Sequence, residues 1–407
     1  MSAETFARHG SLREGAAESF RVVGALRIPE LLLGFLLIFE GTQLGLPLPF
    51  NQIVLVLILG LSLLRRPVYS LGKLQVLIPI VVVALFYIGM VSMVAEPTEF
   101  AFDWKRRLLR LVLTAAFLFV LASGRIDMRS LLVGYGGGMI ANAVAFYAGI
   151  APDNYGGTLS GFFEDKNVAG LTYAVIGILI VSLARRPWPR LLVFLGMGYL
   201  VLLTDSRTSI TAYAAAGLWI LIGGRLPRMG RWLLGALIWF SVVIAAEDFA
   251  QIGRFSAREG SDALRARIDA ASEIRVGEAG FFGEGLGEAY VFLNEQTGQW
   301  LFHNSYWTFL VEGGWPWLLV VLGITLLVGL RPFRSRLTPM ELVGQAATVA
   351  LLICAWRLGE VFFTLQWAIL IAFAIQARLA AEGAVFVPRT HHRFLGPQGG
   401  PSSGAQA

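Results

Sequence analysis

Residues 302–317, Phe-His-Asn-Ser-Tyr-Trp-Thr-Phe-Leu-Val-Glu-Gly-Gly-Trp-Pro-Trp, join the longest polar segment of the chain to a long apolar run. They carry His303, the only histidine outside the two tails. An imidazole can exchange a proton near neutral pH, and beside Asn304 at a membrane surface it suits proton transfer between water and a bound substrate. The competing use is an ordinary place in an interfacial aromatic belt.

Three further stretches hold candidate groups. In 161–170, Gly-Phe-Phe-Glu-Asp-Lys-Asn-Val-Ala-Gly, Lys166 and Asn167 offer donors at the start of a helix, where an anion is favoured; Asn167 could equally serve as the helix cap. In Asp205-Ser206-Arg207-Thr208-Ser209, Arg207 is a candidate phosphate ligand, with Asp205 as an alternative partner. The segment 265–287 contributes Arg265 and Arg267 and ends in alternating glycines. Arg106 and Arg107 open an earlier apolar run, and Glu312 lies four residues past Thr308. The loop arginines either pair with nearby carboxylates or converge on an anion, for which the planar guanidinium fork is well shaped. Arg357 and Glu360, three apart, are expected to neutralise each other.

Other chemistries lack their residues. There is no Cys/His cluster at metal spacing, no His-Glu-x-x-His, no Asp-x-Asp pair and no Gly-x-Ser-x-Gly elbow. The glycines of 283–287 follow no strand and precede no Lys-Ser/Thr, so they are not a nucleotide loop. Neither metal nor soluble cofactor is expected, and no nucleic-acid partner.

The elements that must position these residues are apolar helices. Of 407 residues 56% are hydrophobic, with a mean hydropathy of +0.67, which is too apolar for a soluble chain of this size. The expected fold class is an all-α polytopic integral membrane protein, with spans near 29–46, 49–64, 74–95, 107–123, 130–150, 167–184, 190–204, 208–224, 231–247, 305–330, 340–360 and 362–378. That makes about twelve transmembrane helices and one large extracytoplasmic loop, 248–304, between spans nine and ten. Residues 1–27 read as a cytoplasmic N-terminal arm, 28–378 as the transmembrane domain and 379–407 as a disordered cytoplasmic tail. Arginines at 65–66, 125–129, 185–190, 225–231 and 331–336 share one side if the spans alternate, and that side is the cytoplasm by the positive-inside rule. No cleavable signal peptide is expected, and the single cysteine, Cys354, leaves the outer loop to be held by packing and polar contacts.

Across roughly 155–330 the sequence resembles the O-antigen ligase and polysaccharide polymerase superfamily of bacterial membrane glycosyltransferases. The match rests on His303-Asn304 with Leu310, Glu312 and Gly313-Gly314, on the Ser206-Arg207-Thr208 turn, on the 161–170 stretch and on the 265–287 loop. The resemblance implies a metal-independent transfer, at the outer face of the cytoplasmic membrane, from a polyprenyl-diphosphate-linked glycan donor to a glycan or glycolipid acceptor. His303 would be the catalytic histidine, Arg207 the diphosphate contact and Arg265 the loop arginine. Lys166, Asn167, Arg267, Asn304, Glu312, Arg106 and Arg107 would line the substrate site. The tryptophan that often follows the family's loop arginine is absent, so Arg265 and Arg267 both stay open. The alternative class is a multi-span transporter of a lipid-linked or anionic substrate.

Overall fold

The computed structural model describes residues 26–42, 48–248, 259–293 and 298–383. Its α-helices are α1 Ile28–Leu36, α2 Phe50–Leu63, α3 Leu77–Val94, α4 Trp104–Ala122, α5 Met128–Tyr147, α6 Lys166–Val181, α7 Pro187–Leu203, α8 Arg207–Ile222, α9 Arg228–Asp248, α10 Glu259–Glu278, α11 Ser305–Ile324, α12 Pro339–Arg357 and α13 Leu365–Ala381. Among the described residues the sheet is a single antiparallel pair of two-residue strands, β1 Tyr290–Val291 and β2 Trp300–Leu301.

Each expected span carries a helix, and among the described residues four helical segments are long and apolar enough to cross a membrane: Gly72–Val94, Met128–Tyr147, Ser305–Leu330 and Pro339–Arg357. The others are shorter or carry more charge. In the described part of the expected run 29–46, to residue 42, the helix covers Ile28–Leu36, about 14 Å at 1.5 Å per residue, which is half a bilayer core. Residues 379–381, assigned to the tail, belong to α13. The arm to residue 25, the tail from 384, and Arg254 and Arg258 of the loop lie outside the described residues.

Polar caps begin the helices that matter for the site. Asp103 accepts from the backbone of Lys105 and Arg106, Asp165 from Asn167 and Val168, and Asn304 from Tyr306 and Trp307. Thr338 forms a capping box with Glu341. Each satisfies amides that a helix start leaves open, typically worth ~1 kcal/mol.

Burial sorts the helices. From Ala169 to Val181 α6 is buried all round, and α12 and α13 are nearly so, which marks them as the bundle centre. On the periphery α3, α7 and α9 expose Val83, Phe86, Leu195, Tyr199, Leu233 and Phe240, apolar surface that suits lipid. Close packing relies on small residues. A Cβ on Gly34 of α1 would sit 2.3 Å from the Leu131 carbonyl oxygen, and one on Gly134 of α5 2.0 Å from that of Leu31, so α1 and α5 pack backbone to backbone.

The bundle has two ends. At one, Arg125 donates to the carbonyl oxygens of Ser62 and Arg65, Arg65 pairs with Glu30, and Arg231 donates to the Ser335 carbonyl, so the arginine-rich connections gather there. At the other lie the first turns of α6, α8 and α11, the last turn of α12, and α10 with the β-pair.

Candidate active site at the His303 end

The backbone of His303 is wedged in place. Asn304 begins α11 as its cap, at 2.9 Å from the Tyr306 amide and 3.3 Å from that of Trp307. Ser305 Oγ donates to the Leu358 carbonyl (2.6 Å) and Thr308 Oγ1 to that of Gly359 (3.0 Å), so the turn between α12 and α13 grips the start of α11. A Cβ on Gly359 would lie 2.0 Å from the Phe302 carbonyl oxygen. Phe302 is buried in a small core with Ile268, Ala289, Val291 and Val311, which docks α10 and the strands onto α11.

That docking chooses between the two loop arginines. Ile268 faces the core, so Asp269 and Arg265, four apart on α10, face His303, whereas Arg267 is exposed. His303 Nδ1 is 4.0 Å from Asp269 Oδ1, and Arg357 Nη1 is 3.4 Å from Asp269 Oδ2. Arg265 donates to the Arg357 carbonyl at 3.4 Å. Burial and then the Arg265 charge push the His303 pKa down to about 4, with Asp165 opposing. At pH 7 the ring is therefore neutral, and its approach to Asp269 is not an ion pair. Burial raises the Asp269 pKa while Arg265 and Arg357 lower it. His303 Nδ1 is shut from solvent and has no hydrogen-bond partner among the described residues, yet about a third of the side chain (32%) is exposed. The accessible part of the ring thus lies away from Nδ1.

Lys166, Asn167 and Arg207 occupy the same end layer. The cap of α6 is Asp165 rather than Asn167, whose own amide donates to Asp165 Oδ1 at 2.6 Å. Lys166 Nζ stands 5.4 Å from the Tyr155 ring centre, and the Tyr155 hydroxyl donates to Asp165 at 3.0 Å. Arg207 is the first residue of α8, and a Cβ on Gly170 would come within 2.5 Å of Ser209 Oγ, so the first turns of α6 and α8 touch. Ser209 also reaches Cys354 in the last turn of α12, three residues before Arg357.

Arg107 and Glu312 belong to a different cluster. Arg107 binds Glu312 at 2.9 Å and Glu360 at 2.7 Å, Arg110 binds Glu360 at 2.7 Å, and the Gly287 amide donates to Glu312 at 3.0 Å. Glu360 therefore does not neutralise Arg357: α12 ends at Arg357, the pair no longer shares a helix face, and Arg357 goes to Asp269. Arg106 points away, 75% exposed and paired with Asp103. Arg275 is likewise paired, with Glu284 at 2.5 Å and Glu288 at 3.7 Å.

The two glycine motifs turn out to be partners. Within α11 Gly314 breaks the helix at φ +64°, ψ −167°, two residues before Pro316. The loop 281–287 enters this break: Glu284 and Gly285 amides donate to the Val311 and Glu312 carbonyls (2.7 and 2.8 Å), and the Trp315 amide donates to that of Phe281 (3.0 Å). Carbonyls freed by a broken helix are costly in an apolar setting unless re-bonded, and here the loop does it.

Sequence reasoning overlooked Asp269 and Arg357 as neighbours of His303. The four-residue step from Arg265 to Asp269 was a usable signal for the first; Arg357 arrives from another helix. Compared with family models and with curated proteins, the chain matches none.

Proposed function

We propose that this chain is a metal-independent membrane glycosyltransferase of the O-antigen ligase or polymerase type, moving a glycan from a polyprenyl diphosphate to a sugar hydroxyl. The observation that carries this reading is His303, an imidazole kept unprotonated by burial and Arg265, with its Nδ1 turned to Asp269 and another edge open. A base must be unprotonated to work, and with Nδ1 shut from solvent the accessible edge of the ring leaves Nε2 as the proton acceptor. In the transfer, the acceptor oxygen bonds to the anomeric carbon and gives its proton to His303 Nε2. The bond to the diphosphate breaks, and the leaving group departs with the electron pair, its charge met by Arg265 and Arg207. A diphosphate leaves readily, so the chain needs no nucleophile of its own. His303 then passes its proton to water.

The same reading includes about twelve spans, the arginine-rich end in the cytoplasm and the His303 end facing outward across the inner membrane. The clustering of arginine loops at one bundle end supports it. The transporter alternative draws on the break in α11, a feature of transport helices. Here the freed carbonyls of Val311 and Glu312 are already taken by the Glu284 and Gly285 amides, so they are not free to ligate a transported ion.

Reconstituted vesicles carrying a polyprenyl-diphosphate glycan and an acceptor glycan test the proposal. The parent chain forms the new glycosidic bond with or without chelator, and His303→Gln loses ~10²–10⁴ in rate while staying folded. A parent-level rate in that variant removes the base; uptake of the donor with no new bond favours transport.

A further inference from the structure

A cavity of about 260 Å³ lies against α11, between Glu40 and Gly41, the start of α2, the first half of α4 and the 360–366 turn. We infer that it is a subsite for one neutral sugar ring; its place in a reaction rests on the glycosyl-transfer reading, its chemistry does not. Three buried polar atoms on its lining residues have no hydrogen-bond partner among the described residues: the Trp317 Nε1 donor and the acceptors Asn51 Oδ1 and Gln366 Oε1. Trp317 is 1% exposed and Gln366 fully buried. The amide nitrogen of Gln366 is already committed, to Glu40 at 2.9 Å and Thr172 at 2.6 Å. Buried polar groups are normally satisfied, so orphans of both signs around one cavity point to a ligand that both donates and accepts.

Charge narrows the class. The guanidiniums of Arg107 and Arg110 are held by Glu312 and Glu360, and Glu40 adds a further acid to the wall. With both guanidiniums already matched by carboxylates, this surface offers a diphosphate no surplus positive charge, so it is a poor leaving-group site. Phe163, Phe309 and Phe362 also line the space. Water could satisfy the polar atoms, but the aromatic wall gives it nothing, whereas a ring with hydroxyls on its rim and C–H groups on its face uses both. Drug-sized pockets run to roughly 300–1,000 Å³, so this smaller volume suits one ring and not an oligosaccharide.

The test uses the full chain in lipid nanodiscs with methyl glycosides of neutral hexoses and N-acetylhexosamines, read by saturation-transfer NMR. Saturable binding of at least one is expected. Trp317→Phe removes the indole N–H while keeping an aromatic ring against Phe309 and Phe363. It should weaken binding by about 2- to 10-fold, the worth of one hydrogen bond. Asn51→Leu, on another element, should act in the same direction, and inorganic diphosphate should not compete. No saturable binding, affinity unchanged in both variants, or displacement by diphosphate would each overturn the subsite. Transfer measured in parallel separates the two ideas. A parent that transfers without binding the glycosides loses only the subsite, and one that binds them in a Trp317-dependent way but never transfers loses only the transferase reading.

Discussion

Two clusters of arginine and carboxylate flank α11, and they are built to opposite standards. Around Glu312 the contacts are short, 2.7–3.0 Å, and each carboxylate has two donors: Arg107 and the Gly287 amide on Glu312, Arg107 and Arg110 on Glu360. Around His303 the spacings are 3.4–4.0 Å and one ring nitrogen is unsatisfied, although its side chains are no more exposed than Arg110 and Glu360. Fully satisfied charge holds helices in register, while a loosely spaced cluster with an unmet ring nitrogen keeps capacity for a ligand. The same residue types are thus fully bonded in one place and left with unmet capacity in the other, and completeness of hydrogen bonding tells the two clusters apart.

The largest effect that could break this comparison is Arg107→Ala. It leaves Glu312 buried beside a lone amide, and losing one partner of a buried pair costs about 3–5 kcal/mol. Thermal unfolding in detergent should show a strongly destabilised or unrecoverable protein, where His303→Gln is stable; equal stabilities would erase the distinction. Gly314→Ala comes next. At φ +64° a side chain is strained, and its Cβ would lie 2.0 Å from the Phe281 carbonyl oxygen. A loss of about 1–3 kcal/mol with detachment of the 281–287 loop is expected, seen as faster proteolysis there; parent-like protection would mean that the loop does not plug the helix.

Arg265→Ala sharpens the His303 side. With His303 as the proposed base the neutral ring is the active form, so activity should fall as pH drops through its pKa, about 4 in the parent. Removing the nearby cation raises that pKa toward the ordinary 6.5, and burial stops it short. The acid limb of the pH–rate profile should therefore move to higher pH, on top of a lower plateau. Arg265→Lys should keep the limb where it is and still lose rate, since lysine has the charge without the fork. An unmoved limb in the alanine variant would take Arg265 out of the site. The smallest effect belongs to Arg267→Ala, which alters an exposed side chain and should change stability by no more than about 0.5 kcal/mol, with turnover near the parent rate.

How the site was legible follows from these residues. The helices could be read because hydropathy and caps are local: Asp103, Asp165 and Asn304 stand beside the amides they satisfy. His303 stood out because histidine is scarce in this chain. Arg265 against Arg267 could not be decided, since both lie on one polar helix and only the docking of Ile268 selects a face. The expected Arg357–Glu360 pair failed for a related reason: spacing predicts a shared face only while the helix continues, and α12 stops at Arg357.

Composition and periodicity by themselves determined a helical chain with apolar, membrane-length segments and basic connections, because those properties are set by residues within a few turns of one another. Which acid meets which base was left to tertiary structure. Arg107 reaches Glu312 across 205 residues and Arg110 reaches Glu360 across 250. Pairing of buried charge depends on distance in space and on exclusion of water, and both are defined only once the helices have packed.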